Sequence, residues 1–318
     1  MALTGVENKL KCVGVTMFFD LSKLKDASKS TRTQSFYEEN CKATLSVKSP
    51  LIIFCDSSTR PWIESLRKSL SDCETVYIEK HISEYDFYRM NYNIVEKNRK
   101  SDWYNNHDSR NTISYFLLCS FKTYAIMEAS LVYPDATHYA WIDFGASHVV
   151  WEVKERLQLM MDNPRSKVTV TYIHYRHHDS LKDIRKTLCN GGICGVAGTV
   201  FTVEKSFLNI FYSRFFEIFY EQLAIGVGHT DEQILLYMYD RWPELFNLSY
   251  GDYYSVVSNY HLPVRDFETI KRYFIFSAIQ AGRKDLASEA AKAVVLSYNT
   301  GKINVVKDDI EMLYSIIN

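Results

Sequence analysis

The chain has 318 residues, 47% of them hydrophobic, with 37 Lys+Arg against 38 Asp+Glu and a formal net charge of -1. That length suits one large domain or a domain with an appendage. The near-neutral balance gives no footing for nucleic acid or for a polybasic membrane contact. No run of roughly 18 apolar residues occurs, so no membrane span is expected.

The seven cysteines fall at 12, 41, 55, 73, 119, 189 and 194, without a C-x-x-C spacing and mostly inside apolar stretches. They read as reduced, buried thiols, which fits a reducing compartment. The opening "MALTGVENKLKC" lacks the apolar core of a signal peptide, so a cytoplasmic location is expected.

Residues 12–19, "CVGVTMFF", read as a first strand closed by Asp20, followed by a polar loop over 22–35. "FYEENCKATLS" carries helix signals, and "LIIFCD" is a second apolar strand ending at Asp56. "PWIESLRKSL" starts a helix with Pro61 near its first position, and "ETVYIEK" is a third strand. Residues 81–109 are charged, aromatic and poorly periodic, and read as loop with short helices. Residues 110–132 form the clearest helix, with Ile113, Phe116, Leu117, Phe121, Tyr124 and Leu131 near one face.

Pro134-Asp135 then turns the chain into Tyr139-Ala140-Trp141-Ile142, a short buried strand with Asp143 at its exit and Phe144-Gly145 behind it. "VVWEVKERLQLM" reads as a helix, "KVTVTYI" as a strand, and "SFLNIFYSRFFEIFYEQLAIG" as an aromatic helix capped by Ser206. "GHTDEQILLYMYDRW" begins with a T-x-x-Q capping box, Thr230 to Gln233, and "ELFNLSYGDYYSVV" holds the last strand. From about 263 the chain is helical with no Pro/Gly linker before it, so residues 263–318 are expected to pack on a domain of residues 1–262. Strands alternating with helices predict an α/β sheet with parallel neighbours, and such sheets bind ligands beyond the carboxyl ends of their strands.

Four groups bear on chemistry. Asp20, Asp56 and Asp143 stand at strand exits; an ordinary turn residue is the better reading for Asp56, less so for Asp143 beside Trp141 and Gly145. A carboxylate there suits a hard cation or a ribose hydroxyl. The Gly-rich "NGGICGVAGT", 190–199, matches neither a P-loop nor a dinucleotide fingerprint, and serves either a close backbone approach or a tight bend. Asp231 and Glu232 lie in the first turn of a helix, where the dipole stabilises a carboxylate by about 0.3–1 kcal/mol. "HYRHH" places His174, His177 and His178 past a strand; a polar cluster is favoured over zinc, since no third ligand is evident.

In order, "VTMFFDL", "SPLIIFCD", the helix with Lys122, "YAWIDFG", "GGICGVAGT" and "HTDEQILLYMYDRWPELFNLSYGDY" resemble the HtrL/YibB family over roughly residues 12–260. That family is grouped with nucleotide-sugar glycosyltransferases of the GT-A fold. The resemblance therefore implies a Rossmann-like, mixed but mainly parallel sheet flanked by helices, with a C-terminal helical extension. It implies transfer of a sugar from a nucleotide-diphosphate sugar donor to a glycan or other hydroxyl acceptor, with inversion. Phe18, Phe19 and Asp20 would line the base pocket, and Arg110 and Lys122 would contact the diphosphate. "WIDFG" would replace the D-x-D metal motif, with Asp143 as its first Asp and Gly145 where the second would be. Either Asp143 binds Mn²⁺ or Mg²⁺ with help from the diphosphate and His261, or the reaction needs no metal. Gly191 and Gly192 would sit beside the donor sugar. Asp231, and after it Glu232, would be the general base. Two rivals stay open: a carbohydrate- or protein-binding module on the same fold, and a nucleotidyltransferase.

Overall fold

The computed structural model describes residues 12–29, 32–101, 109–183, 195–227 and 230–318. β1 (Cys12–Phe18) leads through α1 (Gln34–Asn40) and α2 (Lys42–Leu45) to β2 (Leu51–Cys55). α3 (Arg60–Leu70) and β3 (Thr75–Glu79) follow, then α4 (Asp86–Arg99), α5 (Ile113–Val132) and β4 (His138–Ile142). The second half runs through α6 (Val153–Asp162), β5 (Val168–Tyr172), β6 (Val200–Glu204), helices Leu208–Ala224 and Asp231–Arg241, and β7 (Phe246–Tyr250).

The strands form one sheet in the order β3-β2-β1-β4-β6-β5-β7. Only β6 runs antiparallel to its neighbours β4 and β5; the other pairings are parallel. All the parallel strands therefore end on the same edge. The chain winds outward from β1 in one direction and from β4 in the other, so the strand order reverses between these two. That reversal opens a crevice beyond their carboxyl ends.

Side-chain alternation divides the core. Val13, Val15, Ile52, Phe54, Tyr139 and Trp141 face the layer containing α4 and α5, while Cys12, Leu51, Ile53, Cys55, Ala140 and Ile142 face the layer containing α3 and α6. β1, β2, β4 and β5 are buried on both faces, which is why they read as continuous apolar runs; β3 at the sheet's edge is only half-buried. The five described cysteines carry free thiols, and all but Cys73 are buried. No helix among the described residues is long and apolar enough to cross a membrane.

Several sequence expectations need correction. Residues 86–99 form a fourteen-residue helix, α4, not a loop. Its Phe87, Tyr88, Tyr92 and Val95 are buried, and an aromatic-polar mixture hides that spacing from a simple hydrophobic count. Leu131 is 71% exposed and leaves the buried side of α5. Ser206 does not cap the next helix: Lys205–Phe207 is a 3₁₀ turn, the helix begins at Leu208, and the Ser206 hydroxyl donates to Glu204 Oε1 at 2.7 Å. β6, embedded in the Gly-rich stretch and its sequel, went unread.

Past β7 the chain is helical in Phe267–Thr269, a π-turn Ile270–Ile275, Phe276–Gln280, Lys284–Asn299 and Lys307–Ile317. Phe274 packs its ring 5.1 Å from Tyr172 and 4.7 Å from Tyr250. Ile275, Ala278, Ala290, Val294 and Leu313 share one buried cluster with β5 residues Val168 and Val170. Fully burying such side chains contributes about 1.5–3 kcal/mol each, against a net stability of about 5–15 kcal/mol for a whole domain. A chain ended after Leu262 is expected to lose its cooperative thermal transition; a sharp calorimetric melt in that truncation would show that the tail is dispensable.

Candidate active site

Asp143 follows β4 on the same face as Trp141, two residues earlier, and so points toward α5. The Trp141 indole donates to Asp143 Oδ1 at 2.7 Å. The Asp143 backbone is held as well: its N–H donates to Thr199 O at 2.9 Å, and its carbonyl accepts from Thr44 Oγ1 at 3.1 Å. The carboxylate keeps 33% of its side chain exposed.

Lys122 comes to it from the middle of α5. The helical spacing puts this lysine off the apolar stripe, which suggests solvent exposure; in the structure it is 6% exposed. Nζ lies 3.0 Å from Asp143 Oδ1 and 3.0 Å from Asp231 Oδ2, and donates to Gly198 O at 2.9 Å. It also sits 5.6 Å from the Trp141 ring centroid. Burial opposes the charge on Lys122, but the carboxylates of Asp143 and Asp231 outweigh it and hold the ammonium well above the ordinary lysine range. One internal cation thus joins the exit of β4 to the start of the Asp231–Arg241 helix.

At that helix start the capping box does not form. Thr230 is the N-cap, but its hydroxyl donates to Gln233 Oε1 at 2.6 Å rather than capping the backbone. Asp231 is buried, and burial raises its carboxyl, with Lys122 pulling the other way. Glu232 is partly exposed. Its Oε1 accepts from Gly198 N at 3.2 Å and its Oε2 from the Tyr253 hydroxyl at 2.7 Å. Burial, then the nearby Asp231 charge, pushes Glu232 up to about 7. Gly198 permits this contact: a Cβ there would stand 2.3 Å from Asp231 Oδ2.

The crevice in front of Lys122 and Asp143 is a small cleft of about 110 Å³, open to solvent. Lys122, Asp143, Gly145, Phe18 and Phe19 line it together with Arg32, Tyr37 and Tyr115. An adjoining pocket shares Phe18, Phe19, Arg32, Tyr37 and Tyr115, and adds Asp20 and Arg110. Phe18 and Phe19 are largely core: Phe18 stacks on Phe144 at 5.0 Å and Phe19 meets Phe121 edge-on at 6.3 Å. Asp20 caps a 3₁₀ turn by accepting from Ser22 N at 3.1 Å; despite burial, Ser22 and Lys23 hold its carboxyl below the usual range. Asp56 is the turn residue expected, accepting from Ser58 N and Thr59 N at 3.0 Å each. Gly191 and Gly192 lie outside the described residues.

Arg32, Tyr37, Trp141 and Tyr253 were missed from sequence. Trp141, two places before Asp143, was the one with a usable signal, because i and i+2 share a strand face.

The residues do not make a protein-held divalent site. The Asp143 Oδ1 oxygen is already bonded to Lys122 and Trp141. Asp231 faces the same ammonium. Position 145 has no ligand and little room for one, since a Cβ would stand 3.0 Å from Tyr37 Cδ1. His261 meets Tyr260 edge-on, and burial, with smaller help from Arg165, Lys302 and Arg156, lowers it against the lift of a backbone hydrogen bond to Leu159. No cluster of three or more His, Cys, Asp or Glu able to hold a metal occurs among the described residues. His174, His177 and His178 diverge: His174 meets Tyr273, His177 accepts from Asp179 N, and His178 pairs with Asp240 at 2.6 Å.

The family model of HtrL_YibB, described as a bacterial protein of unknown function, matches residues 11–261. The chain belongs to the HtrL/YibB family. A search of curated protein sequences finds no match. Among solved structures this HtrL/YibB protein is similar to mouse xyloside xylosyltransferase 1, with TM-score 0.43 and 12% identity, covering 74% of this chain and 83% of that one. It is also similar to core-mannan synthase A of Aspergillus fumigatus in its Mn/GDP form, with TM-score 0.39 and 10% identity over 79% and 74% of the two chains. A glycosyltransferase involved in glycosylation of the PBCV-1 major capsid aligns with TM-score 0.35 and 10% identity over 75% and 80%. At such scores the chemistry of the site rests on its own residues.

Replacing Lys122 by Met would leave Asp231 as a buried, unpaired carboxylate. Breaking a buried pair from one side costs about 3–5 kcal/mol. Lys122→Met is therefore expected to lower stability by that amount in denaturant titration, and a change below about 1 kcal/mol would mean that water solvates the pair.

Proposed function

We propose that this protein is a glycosyltransferase that uses a nucleotide-diphosphate sugar. The observation that carries the reading is the Lys122 ammonium, fixed between Asp143 and Asp231 at the mouth of the crevice where the strand order reverses. When the sugar C1–O bond to the diphosphate breaks, negative charge grows on the leaving oxygen. A preorganised cation in a water-poor site stabilises that charge without reorganising. Lys122 supplies it, and Arg32 and Arg110 along the same cleft take the outer phosphate charge. The free oxygen of Asp143 accepts from a ribose or sugar hydroxyl. Phe18, Phe19 and Asp20 form the wall on the base side.

The acceptor oxygen forms the new bond to C1 and its proton passes to a carboxylate. The family resemblance favours Asp231 as base, but Asp231 is committed to Lys122. Glu232 is better suited: it faces no ammonium, is partly exposed, and its carboxyl is poised at about 7. With base and leaving group on opposite sides, a single displacement inverts the anomeric centre.

Asp143→Ala is expected to reduce turnover of the accepted nucleotide sugar by about 10²–10³-fold, while circular dichroism stays unchanged; full activity in that variant would remove the proposal. Glu232 holds a proton below its pKa and accepts one above it. The rate at low substrate should therefore climb with pH through about 7, and Glu232→Gln should abolish both the rate and that limb. A flat profile across this range would assign the base elsewhere.

Because Lys122 fills the cation position, UDP or GDP binding followed by thermal shift is expected to survive excess EDTA. Loss of all binding on chelation, with recovery on Mn²⁺, would restore the divalent ion that the family resemblance implies.

A further inference from the structure

Two loops leave the site and meet again at the surface. One follows β4, from Asp143 to Trp151; the other follows β7, from Gly251 to Tyr254. Both start on the same edge of the sheet, since β4 and β7 point the same way. Trp151 N donates to Tyr254 O at 3.0 Å and ties them together. Their rings pair at 4.8 Å between centroids, tilted by 33°. Trp151 is nevertheless 54% exposed and Tyr254 45%.

The pair is held rather than dangling. Asp252 Oδ1 accepts from Tyr254 N at 2.8 Å and Ser255 N at 3.0 Å, fixing the β7 loop. Glu152, directly after Trp151, has φ 51 in the left-handed region, a conformation strained for a non-glycine residue. Its carboxylate meets Arg265 at 3.4 Å, and the Arg265 guanidinium lies 5.1 Å from the Trp151 ring centroid. Rigid aromatics beside charged donors and acceptors form a surface that orients a ligand at small entropic cost.

Continuity with the site comes through Tyr253. Its hydroxyl donates to Glu232 Oε2 at 2.7 Å, while its chain neighbour Tyr254 faces outward. Tyr253 and Tyr254 are consecutive residues, so the residue that bonds Glu232 is joined directly in the chain to the platform. We propose that Trp151 and Tyr254 are a saccharide platform that holds an oligosaccharide acceptor with its reacting hydroxyl toward Glu232. This deepens the transferase reading and rests on it for the word acceptor. A pyranose ring has an apolar C–H face that packs on an aromatic ring, and equatorial hydroxyls that reach Glu152, Asp252 and Arg265. The patch is too small for a stable copy-to-copy contact. Two such rings bury at most about 150–250 Å² each, against about 800 Å² per partner in a standard interface.

The test uses the full chain on a printed oligosaccharide array, then titration of the best-bound soluble oligosaccharide. Binding is expected, weakened at least tenfold by Trp151→Ser and by Tyr254→Ser and largely restored in Trp151→Phe, with the UDP and GDP thermal shifts unaltered. No bound oligosaccharide, or equal binding by Trp151→Ser, overturns the platform. So does light scattering that shows a dimer dissociated by Trp151→Ser, which would make the pair a self-contact. Saccharide binding without any nucleotide shift keeps the platform and removes the transferase reading; nucleotide shifts without saccharide binding do the reverse.

Discussion

A charged lysine in a dry interior is the constraint around which this site is arranged. Taking an ammonium out of water costs several kcal/mol, and the cost is met only where opposite charge and hydrogen-bond acceptors are already in position. Here Asp143, Asp231 and the Gly198 carbonyl meet it together. Each comes from a different part of the chain: a strand exit, a helix start and the lead-in to β6. The ion cluster thus specifies how α5, β4, β6 and the Asp231–Arg241 helix register against one another, and the hydrophobic layers fill in behind. The same arrangement leaves Glu232 next to the cluster but outside its ion pairs, so two consecutive acids sit in different electrostatic settings.

The family's departure from a D-x-D pattern has a steric side. Tyr37 packs against Gly145 closely enough that a Cβ there would stand 3.0 Å from its ring and push it aside by a few tenths of an ångström. Tyr37 in turn packs against Phe18 at 4.9 Å and Phe144 at 6.5 Å, forming the wall of the cleft. Position 145 thus shapes an aromatic wall, while the positive charge beside Asp143 comes from Lys122 on α5.

Much of the first half of the fold is legible from sequence because β1, β2 and β4 are buried on both faces and bounded by acids or prolines, and β3 alternates β-branched and aromatic residues at the sheet's edge. β1, β2, β3 and β4 stand out as apolar runs, and the acids at three of their exits follow directly. β6 escaped because its lead-in is glycine-rich, so turn signals masked five residues of strand. α4 escaped because its buried face is built from Phe87, Tyr88 and Tyr92 among polar neighbours. Lys122 was found but misplaced: helical periodicity treats any lysine off the apolar stripe as solvated, and nothing local reveals two carboxylates arriving from residues 143 and 231. Which of Asp231 and Glu232 faces that lysine is likewise a fact of tertiary structure alone.

Trp141 closes the circuit on the inner side. Its indole is 1% exposed, hydrogen-bonded to Asp143 and within 5.6 Å of the Lys122 charge. Indole fluorescence shifts with the electric field across the ring, and few natural fluorophores are clamped between an anion and a cation that a substrate would engage. Trp141 thus carries an optical gauge of the crevice, read against the chain's four other tryptophans.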